Sequence, residues 1–251
     1  MNPISLAELV DKAELQTRVD RKYVLPVADA QALLGRLDPS TRVLQIDGRR
    51  RFRYQSIYFD TPDLVSFRLA ALRRRHRFKI RTRSYLDSGC CWLEVKTPGI
   101  RGGTIKNRLP YQPDDRNTLV PGRSFVDGLL GAQAGLTFAP TLTTHYLRST
   151  FYLPAGHTRA TLDVDLAWED ADGRRLQRPH LAVVETKTGG GASAIDRLLW
   201  AGGHRPATIS KYATGLAALR PELPDAPWRR TLRRHFAAEA PVAAVALSRV
   251  A

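Results

Sequence analysis

Along most of this chain apolar and charged residues alternate with a period of two, the spacing of strands, and only short stretches show the three-to-four spacing of helices. FKIRTRSY (78–85) sets Phe78 and Ile80 on one side of a strand and Lys79, Arg81 and Arg83 on the other. LEVKT (93–97) repeats this with Glu94 and Lys96 opposite Leu93 and Val95, and VETKT (184–188) does so again with Glu185 and Lys187, running into Gly189 and Gly190. Three further stretches contribute Arg18, Asp20 and Lys22; Tyr146 with Arg148; and Arg159, Asp163 and Asp165 to the polar side. Opposite them lie Val19, Tyr23 and Leu25, then Leu162, Val164 and Leu166; Leu181 and Val183 break the alternation locally.

The pattern predicts antiparallel hairpins from RRRFRYQSIYFDT (49–61), RHRFKIRTRSY (75–85) and CCWLEVKT (90–97), the last reached through an Asp87, Ser88, Gly89 turn. A second hairpin, THYLRSTFYL (144–153) with RATLDVDLAWED (159–170), turns around Pro154 and Gly156, and HLAVVETKT (180–188) adds a strand. Helical spacing marks 28–37, 123–132, 192–201 and 210–219, and a Pro-rich break at 221–227 precedes a last helix beginning WRRTLRRHF. About seven or eight strands with helices between and after them predict an α+β fold. Trp228, Leu232 and Phe236 share one face of the last helix, with arginines around it; docking on the domain wall is expected, with a membrane-surface or partner contact as the other use of that face.

At 251 residues and 43% hydrophobic content the chain can build one large core. A division into residues 1–220 and a C-terminal segment 221–251 follows from the Pro-rich break. MNPISLAELVDKAELQ lacks a basic start followed by an apolar run, and no apolar stretch approaches the ~18 residues of a membrane span, so a soluble, cytoplasmic protein is expected. Cys90 and Cys91 are adjacent, which suits neither a disulfide framework nor a zinc site. The six histidines form no metal-binding spacing.

A net charge of +15 changes the picture, because it implies a polyanionic partner: nucleic acid, polyphosphate, nucleotide or anionic lipid. No helix-turn-helix, RRM or zinc-finger pattern supports a specific nucleic-acid binder. Alternation alone is most simply read as a sheet with its charged side in water. The polar side is dominated by arginine, however, whose planar fork suits bidentate phosphate binding. Turned inward, that face would line a basic lumen that needs an anion to offset buried like charges.

The segments RVDRKYVL (18–25), SIYFDTPDL (56–64), FKIRTRSY, LEVKT, YLRSTF (146–151), RATLDVDL (159–166), VETKT and ISKYATGL (209–216), in that order, resemble the VTC domain, the polyphosphate polymerase branch of the CYTH or triphosphate tunnel metalloenzyme superfamily. The resemblance implies a closed antiparallel β-barrel, the triphosphate tunnel, with helices packed outside and a lumen that binds ATP and polyphosphate. It implies phosphate-handling roles for Lys22, Arg81, Arg83, Lys96, Arg148, Arg159 and Lys187, with Arg18 on the same face. Ser210 and Lys211 match a phosphate-binding segment near the tunnel mouth, and Tyr146 matches a tyrosine beside the nucleotide. A divalent metal, Mn²⁺ or Mg²⁺, would be held by Glu185, with Glu94 supporting a lysine or the metal.

Three positions depart from relatives. RVDRK stands where the wider superfamily has ExExK, Thr208 where relatives often carry lysine, and Pro98 where some carry histidine. Loss of paired carboxylates weakens activation of water and favours the polymerase branch over a tripolyphosphate or nucleoside triphosphate hydrolase. A non-catalytic polyphosphate-binding module is the further alternative.

Overall fold

In the computed structural model, which describes residues 1–12, 19–99 and 103–237, the alternating segments assemble into one eleven-stranded sheet. The strands are β1 (Asn2–Ile4), β2 (Val19–Pro26), β3 (Arg42–Leu44), β4 (Phe52–Asp60), β5 (Lys79–Tyr85), β6 (Cys90–Pro98), β7 (Thr104–Tyr111), β8 (Ala139–Leu153), β9 (Thr158–Asp170), β10 (Arg175–Arg178) and β11 (Leu181–Thr188). The helices are α1 (Leu6–Lys12), α2 (Val27–Gly35), α3 (Val65–Ala71), α4 (Arg123–Leu130), α5 (Ala194–Ala201), α6 (Lys211–Leu219) and α7 (Arg229–His235).

The main path runs β2, β11, β9, β8, β4, β5, β6, β7, with every pairing along it antiparallel. Among the described residues nothing pairs β7 with β2, so the described strands form the antiparallel sheet of the expected barrel without its closure. The sheet is nevertheless strongly curved. Strands far apart in the order come within electrostatic reach of one another, Lys96 of β6 with Glu185 of β11 and Lys79 of β5 with Lys22 of β2.

Two apolar clusters cover the convex face. In one, Ala30 and Leu33 of α2 and Ile195 and Leu199 of α5 pack on Tyr23, Leu25, Phe151, Ala182 and Val184. In the other, Val126 and Leu130 of α4 pack on Ile57, Phe59, Ile80, Leu93 and Val95. These helices lie outside, as the period-two pattern requires.

The concave face is divided lengthwise. On β11, Leu181 and Val183 share a side with Glu185 and Lys187, and on β2, Val24 shares one with Lys22 and Asp20. The apolar halves belong to a third cluster with Tyr58, Leu142, Leu166 and Trp168, and that cluster holds Tyr212, Ala213, Leu216 and Ala217 of α6. Helix α6 therefore sits on the inner side and fills one end, which corrects the expectation that the helices pack outside. Trp168 Nε1 donates to the Lys211 carbonyl over 2.8 Å, and the Tyr212 ring stacks on Tyr58 at 5.1 Å. A Cβ at Gly215 would overlap the Trp168 indole, so only glycine permits this approach.

A bulge makes the division possible on β9. The pairing with β8 slips between His145 and Leu147, and Asp165 takes a left-handed conformation at φ 51°. Beyond it the parity inverts: Asp165 is exposed, while Leu166 and Trp168 turn inward. The expectations that Asp165 lies on the charged side and Leu166 on the opposite one are both corrected by this single extra residue.

The C-terminal segment joins the same core. Trp228 lies 5.6 Å from the Phe67 ring, Phe236 lies 5.5 Å from Trp168, and Thr231 Oγ1 donates to the Thr208 carbonyl over 3.0 Å.

Candidate functional site

The charged half of the concave face forms a basin built from alternate residues of β2, β5, β6, β8, β9 and β11 and from the start of α6. Cations dominate it. Four carboxylates stand among them: Glu94, Asp163, Glu185 and, on β2, Asp20.

Glu94 on β6 is fully buried. Arg81 Nε donates to it over 2.7 Å, Lys106 Nζ over 2.9 Å, and Arg83 stands 3.9 Å away. Burial alone would push the Glu94 carboxyl upward; Arg81, Arg83 and Lys106 outweigh it and hold the group well below the usual range. Asp163 on β9 accepts a bidentate pair from Arg148, Nε at 2.6 Å and Nη2 at 2.8 Å, and a further bond from Lys211. Burial opposes its ionisation, but these two cations lower it to about 2. Glu185 on β11 is bonded by Lys187 and lies 3.8 Å from Lys22, while Lys187 is also 3.8 Å from Asp20 on β2.

The remaining cations face one another. Lys96 is lowered to about 6, first by burial and then by Arg81, Lys79 and Arg83. Lys79 is lowered to about 7 by burial, Arg81 and Lys22, and its ammonium donates to Ser210 Oγ over 2.8 Å. Such depressed lysines report a cavity whose positive field is not offset by its own carboxylates.

Tyrosines from β4 and β8 floor the basin. Arg148 lies over Tyr54 and Tyr146 at 5.2 and 5.3 Å, Arg83 over Tyr54 at 5.9 Å, Arg81 over Tyr58 at 5.7 Å, and Lys211 over Tyr146 at 4.5 Å. Burial raises the Tyr146 phenol, but Arg83, Arg148 and Lys211 bring it below its ordinary value. The Tyr146 hydroxyl, Arg83 Nε, Ser56 Oγ, Thr144 Oγ1 and Thr161 Oγ1 are buried without a hydrogen-bond partner. All five belong to residues on the inward parity of their strands. Native interiors rarely leave such groups unsatisfied, and a cluster of them marks a place for a polar ligand.

Of the residues expected from sequence, Lys22, Arg81, Arg83, Lys96, Tyr146, Arg148, Lys187, Ser210, Lys211, Glu94 and Glu185 are brought together here. Arg159 lies on β9 opposite Lys187, toward the end of the basin away from α6. Arg18 lies outside the described residues. Sequence reasoning did not single out Lys79, although its parity with Arg81 and Arg83 carried the signal. It also missed Tyr54, Tyr58 and Lys106. Lys106 sits on β7 opposite Lys96, in a strand that carries Pro110 and so gave a weak signal.

Among the described residues no group of three His, Cys, Asp or Glu side chains is arranged to hold a metal. Glu94 and Asp163 are fully engaged by cations; Glu185, on the open side, is the carboxylate best disposed to take a further partner. No helix among the described residues is long and apolar enough to cross a membrane.

Comparison with known proteins finds similar solved structures. A solved structure from Hippeastrum, described as a candidate adenylyl cyclase with a dominant triphosphatase activity, is similar over 80% of this chain and 96% of its own, with 17% identity and a TM-score of 0.52. A candidate adenylate cyclase from Vibrio parahaemolyticus matches over 75% of this chain and 87% of its own at 14% identity and a TM-score of 0.41. None of the curated proteins compared with the chain matches it significantly in sequence. The VTC domain profile matches residues 17–220, the span that contributes every strand of the basin, and the chain therefore belongs to the VTC domain family.

Proposed function

We propose that this protein is a metal-dependent polyphosphate polymerase that transfers the γ-phosphate of ATP to the end of a growing chain. The observation that carries the reading is the enclosed surplus of cations on the concave face, with Lys79 and Lys96 both depressed by burial and by neighbouring charge. A phosphate chain would relieve that repulsion, which the basin's own carboxylates offset only in part.

Phosphoryl transfer asks for alignment and charge cancellation more than for covalent help from protein. Arg81, Arg83, Arg148, Lys96 and Lys22 would neutralise the β- and γ-phosphates. Lys187, Arg159, Lys211 and Ser210 would hold the acceptor chain or the rest of the triphosphate, and Tyr146 would lie beside the nucleotide. An oxygen of the acceptor's terminal phosphate forms the new P–O bond as the bond from the γ-phosphorus to ADP breaks.

Glu185 would hold a divalent cation of the Mg²⁺ or Mn²⁺ type, whose chemistry when bound would be to offset the negative charge of phosphoryl transfer. Glu185 fits such an ion, which commonly takes one or two carboxylates and fills its shell with phosphate oxygens and water. Glu94, saturated by Arg81 and Lys106, fits the role of orienting those cations.

Transfer to phosphate is favoured over transfer to water by the engagement of Glu94, Asp163 and Glu185 with cations, which leaves these carboxylates poorly placed to accept a proton from water. Incubation of the pure protein with ATP and Mn²⁺ or Mg²⁺ tests the reading. A ladder of phosphate polymer that disappears in Arg83→Ala and Lys22→Ala supports it. Free phosphate alone assigns a hydrolase, and tight tripolyphosphate binding without turnover assigns a binding module.

A further inference from the structure

Not all the cations of this chain lie in the basin. Between α3 and β5 run Arg73, Arg74, Arg75, His76 and Arg77, and all but Arg77 are exposed. A basic loop in water is common. This one has a cost, a rigidity and a place that a solvated surface does not ask for.

The cost lies at Arg73. Helix α3 ends in a Schellman motif: the Arg73 N–H donates to the Ala70 carbonyl over 3.1 Å and the Arg74 N–H to the Leu69 carbonyl over 2.9 Å. Arg73 takes the left-handed position of that motif, at φ 52°, where glycine is the usual residue. A cation near a helix C-terminus interacts well with the dipole, which accounts for one arginine there but not for four in five residues. Among the described residues none of the four forms an ion pair, so their mutual repulsion has no paired carboxylate against it.

The motif fixes one end of the loop, and hydrogen bonds fix the other. Gln133 Nε2 donates to the His76 carbonyl over 3.1 Å, Ser66 Oγ donates to the Phe78 carbonyl over 2.7 Å, and Phe78 is buried against Phe138. An anion therefore meets these arginines on a fixed turn, with little backbone left to order.

The place follows from strand geometry. β5 carries Lys79, Arg81 and Arg83 on its inward side at intervals of about 6.8 Å, and the loop leads directly into that row. Arg77 stands two residues before Lys79 and is among the charges that depress it. Since Lys79 bonds Ser210 at the start of α6, the row leaves the basin beside Ser210 and Lys211, and the arginine loop lies at its outer end.

We propose that this loop is a second polyphosphate-binding surface, outside the basin, which holds the part of a long chain that extends past Lys79 and Ser210. A line of cations continuous with the basin fits a flexible linear polyanion, and each guanidinium fork can take one of its phosphates. The proposal rests on the phosphate reading of the basin and goes beyond it, because a basin acting alone grips the same number of phosphates whatever the chain length.

Chain length separates the two surfaces. Tripolyphosphate is shorter than the row from Arg77 to Arg83, roughly 20 Å of extended strand, so it fills the basin without covering the loop, whereas long linear polyphosphate covers both. Arg73→Gly, Arg74→Ser and Arg75→Ser are combined in the full-length protein, and both ligands are titrated by calorimetry. Affinity for the long chain should fall about tenfold or more, with tripolyphosphate binding unchanged. Arg73→Gly alone should melt no lower than the original chain, since glycine suits that position, yet should already weaken the long chain. Long-chain affinity that survives the triple substitution overturns the proposal. So does an equal fall for both ligands, which makes the loop a support of the basin. Single-stranded DNA that binds more tightly than the long chain, and is lost in the triple variant, reassigns the loop to nucleic acid and also overturns it. If the unaltered protein binds no tripolyphosphate, the phosphate reading of the basin itself fails, and the two failures are thereby told apart.

Discussion

Lys79, at the start of β5, donates from its ammonium to the hydroxyl of Ser210, the residue that caps the N-terminus of α6, over 2.8 Å. One hydroxyl thus serves two structures, since Ser210 Oγ also accepts from the Ala213 backbone N–H. The bond joins the charged wall of the basin to the helix that fills its apolar end, and it places the positive end of the helix dipole beside the site.

Ser210→Ala removes the cap and the acceptor of Lys79 together. We expect a loss of about 1 kcal/mol of stability from the cap, read by chemical denaturation, together with weaker tripolyphosphate binding. Unchanged binding would show that the junction only holds the helix.

The two conspicuous glutamates should separate in their effects. Glu94→Gln leaves Arg81 and Arg83 buried without their counter-charge and should cost roughly 3 kcal/mol or more, with tripolyphosphate restoring part of the loss in a thermal melt. Glu185→Gln should perturb stability less and abolish the response of tripolyphosphate binding to Mn²⁺ or Mg²⁺. Loss of the metal response in Glu94→Gln alone would exchange the two roles.

Tyr146→Phe deletes a hydroxyl that is buried without a hydrogen-bond partner. Stability should be unchanged or should rise by up to about 1 kcal/mol, whereas affinity for ATP or tripolyphosphate should fall. A destabilised variant with normal affinity contradicts the assignment of that hydroxyl to ligand.

Lys79 and Lys96 lie near 7 and 6 in the folded chain against an ordinary value of 10.5. Between roughly pH 7 and 10 the unfolded chain therefore carries protons that the folded chain lacks, so these lysines make stability rise with pH across that window; below both folded values the slope vanishes. A bound phosphate chain favours the charged lysines, so binding takes up protons. From pH 7 to 9 affinity for tripolyphosphate should fall, by up to about tenfold per pH unit for each lysine. Calorimetry in buffers of different ionisation enthalpy measures the uptake directly, and an affinity flat across this range rejects the shifted lysines.

Much of the site was legible because strand parity is rigid. Once Arg81 and Arg83 share a side, Lys79 must join them, and the pairs Glu94 with Lys96 and Glu185 with Lys187 follow the same rule. What parity does not state is which side faces inward; the arginine content spoke against a merely solvated face, and the resemblance to the VTC domain implied the inward one. Two features lay beyond it. The bulge at Asp165 depends on a backbone conformation that its neighbours impose, so Leu166 and Asp165 were assigned to the wrong sides. Leu181 and Val183 read as a fault in the pattern because the sequence does not announce that a helix from far along the chain will cover that half of the strand. Closure is not legible in the pattern either: strand order and edge pairing depend on register between distant segments, which local alternation leaves undetermined.

The absence of a side chain at residue 215 acts as a ruler. The backbone of α6 comes to rest directly against the Trp168 ring, and even one methyl group there would lift the helix outward, carrying Ser210 and Lys211 with it. How closely α6, with Ser210 and Lys211 at its start, approaches the sheet is therefore set by an atom that is missing, and exchanging this glycine for alanine should displace both residues before it changes any charge.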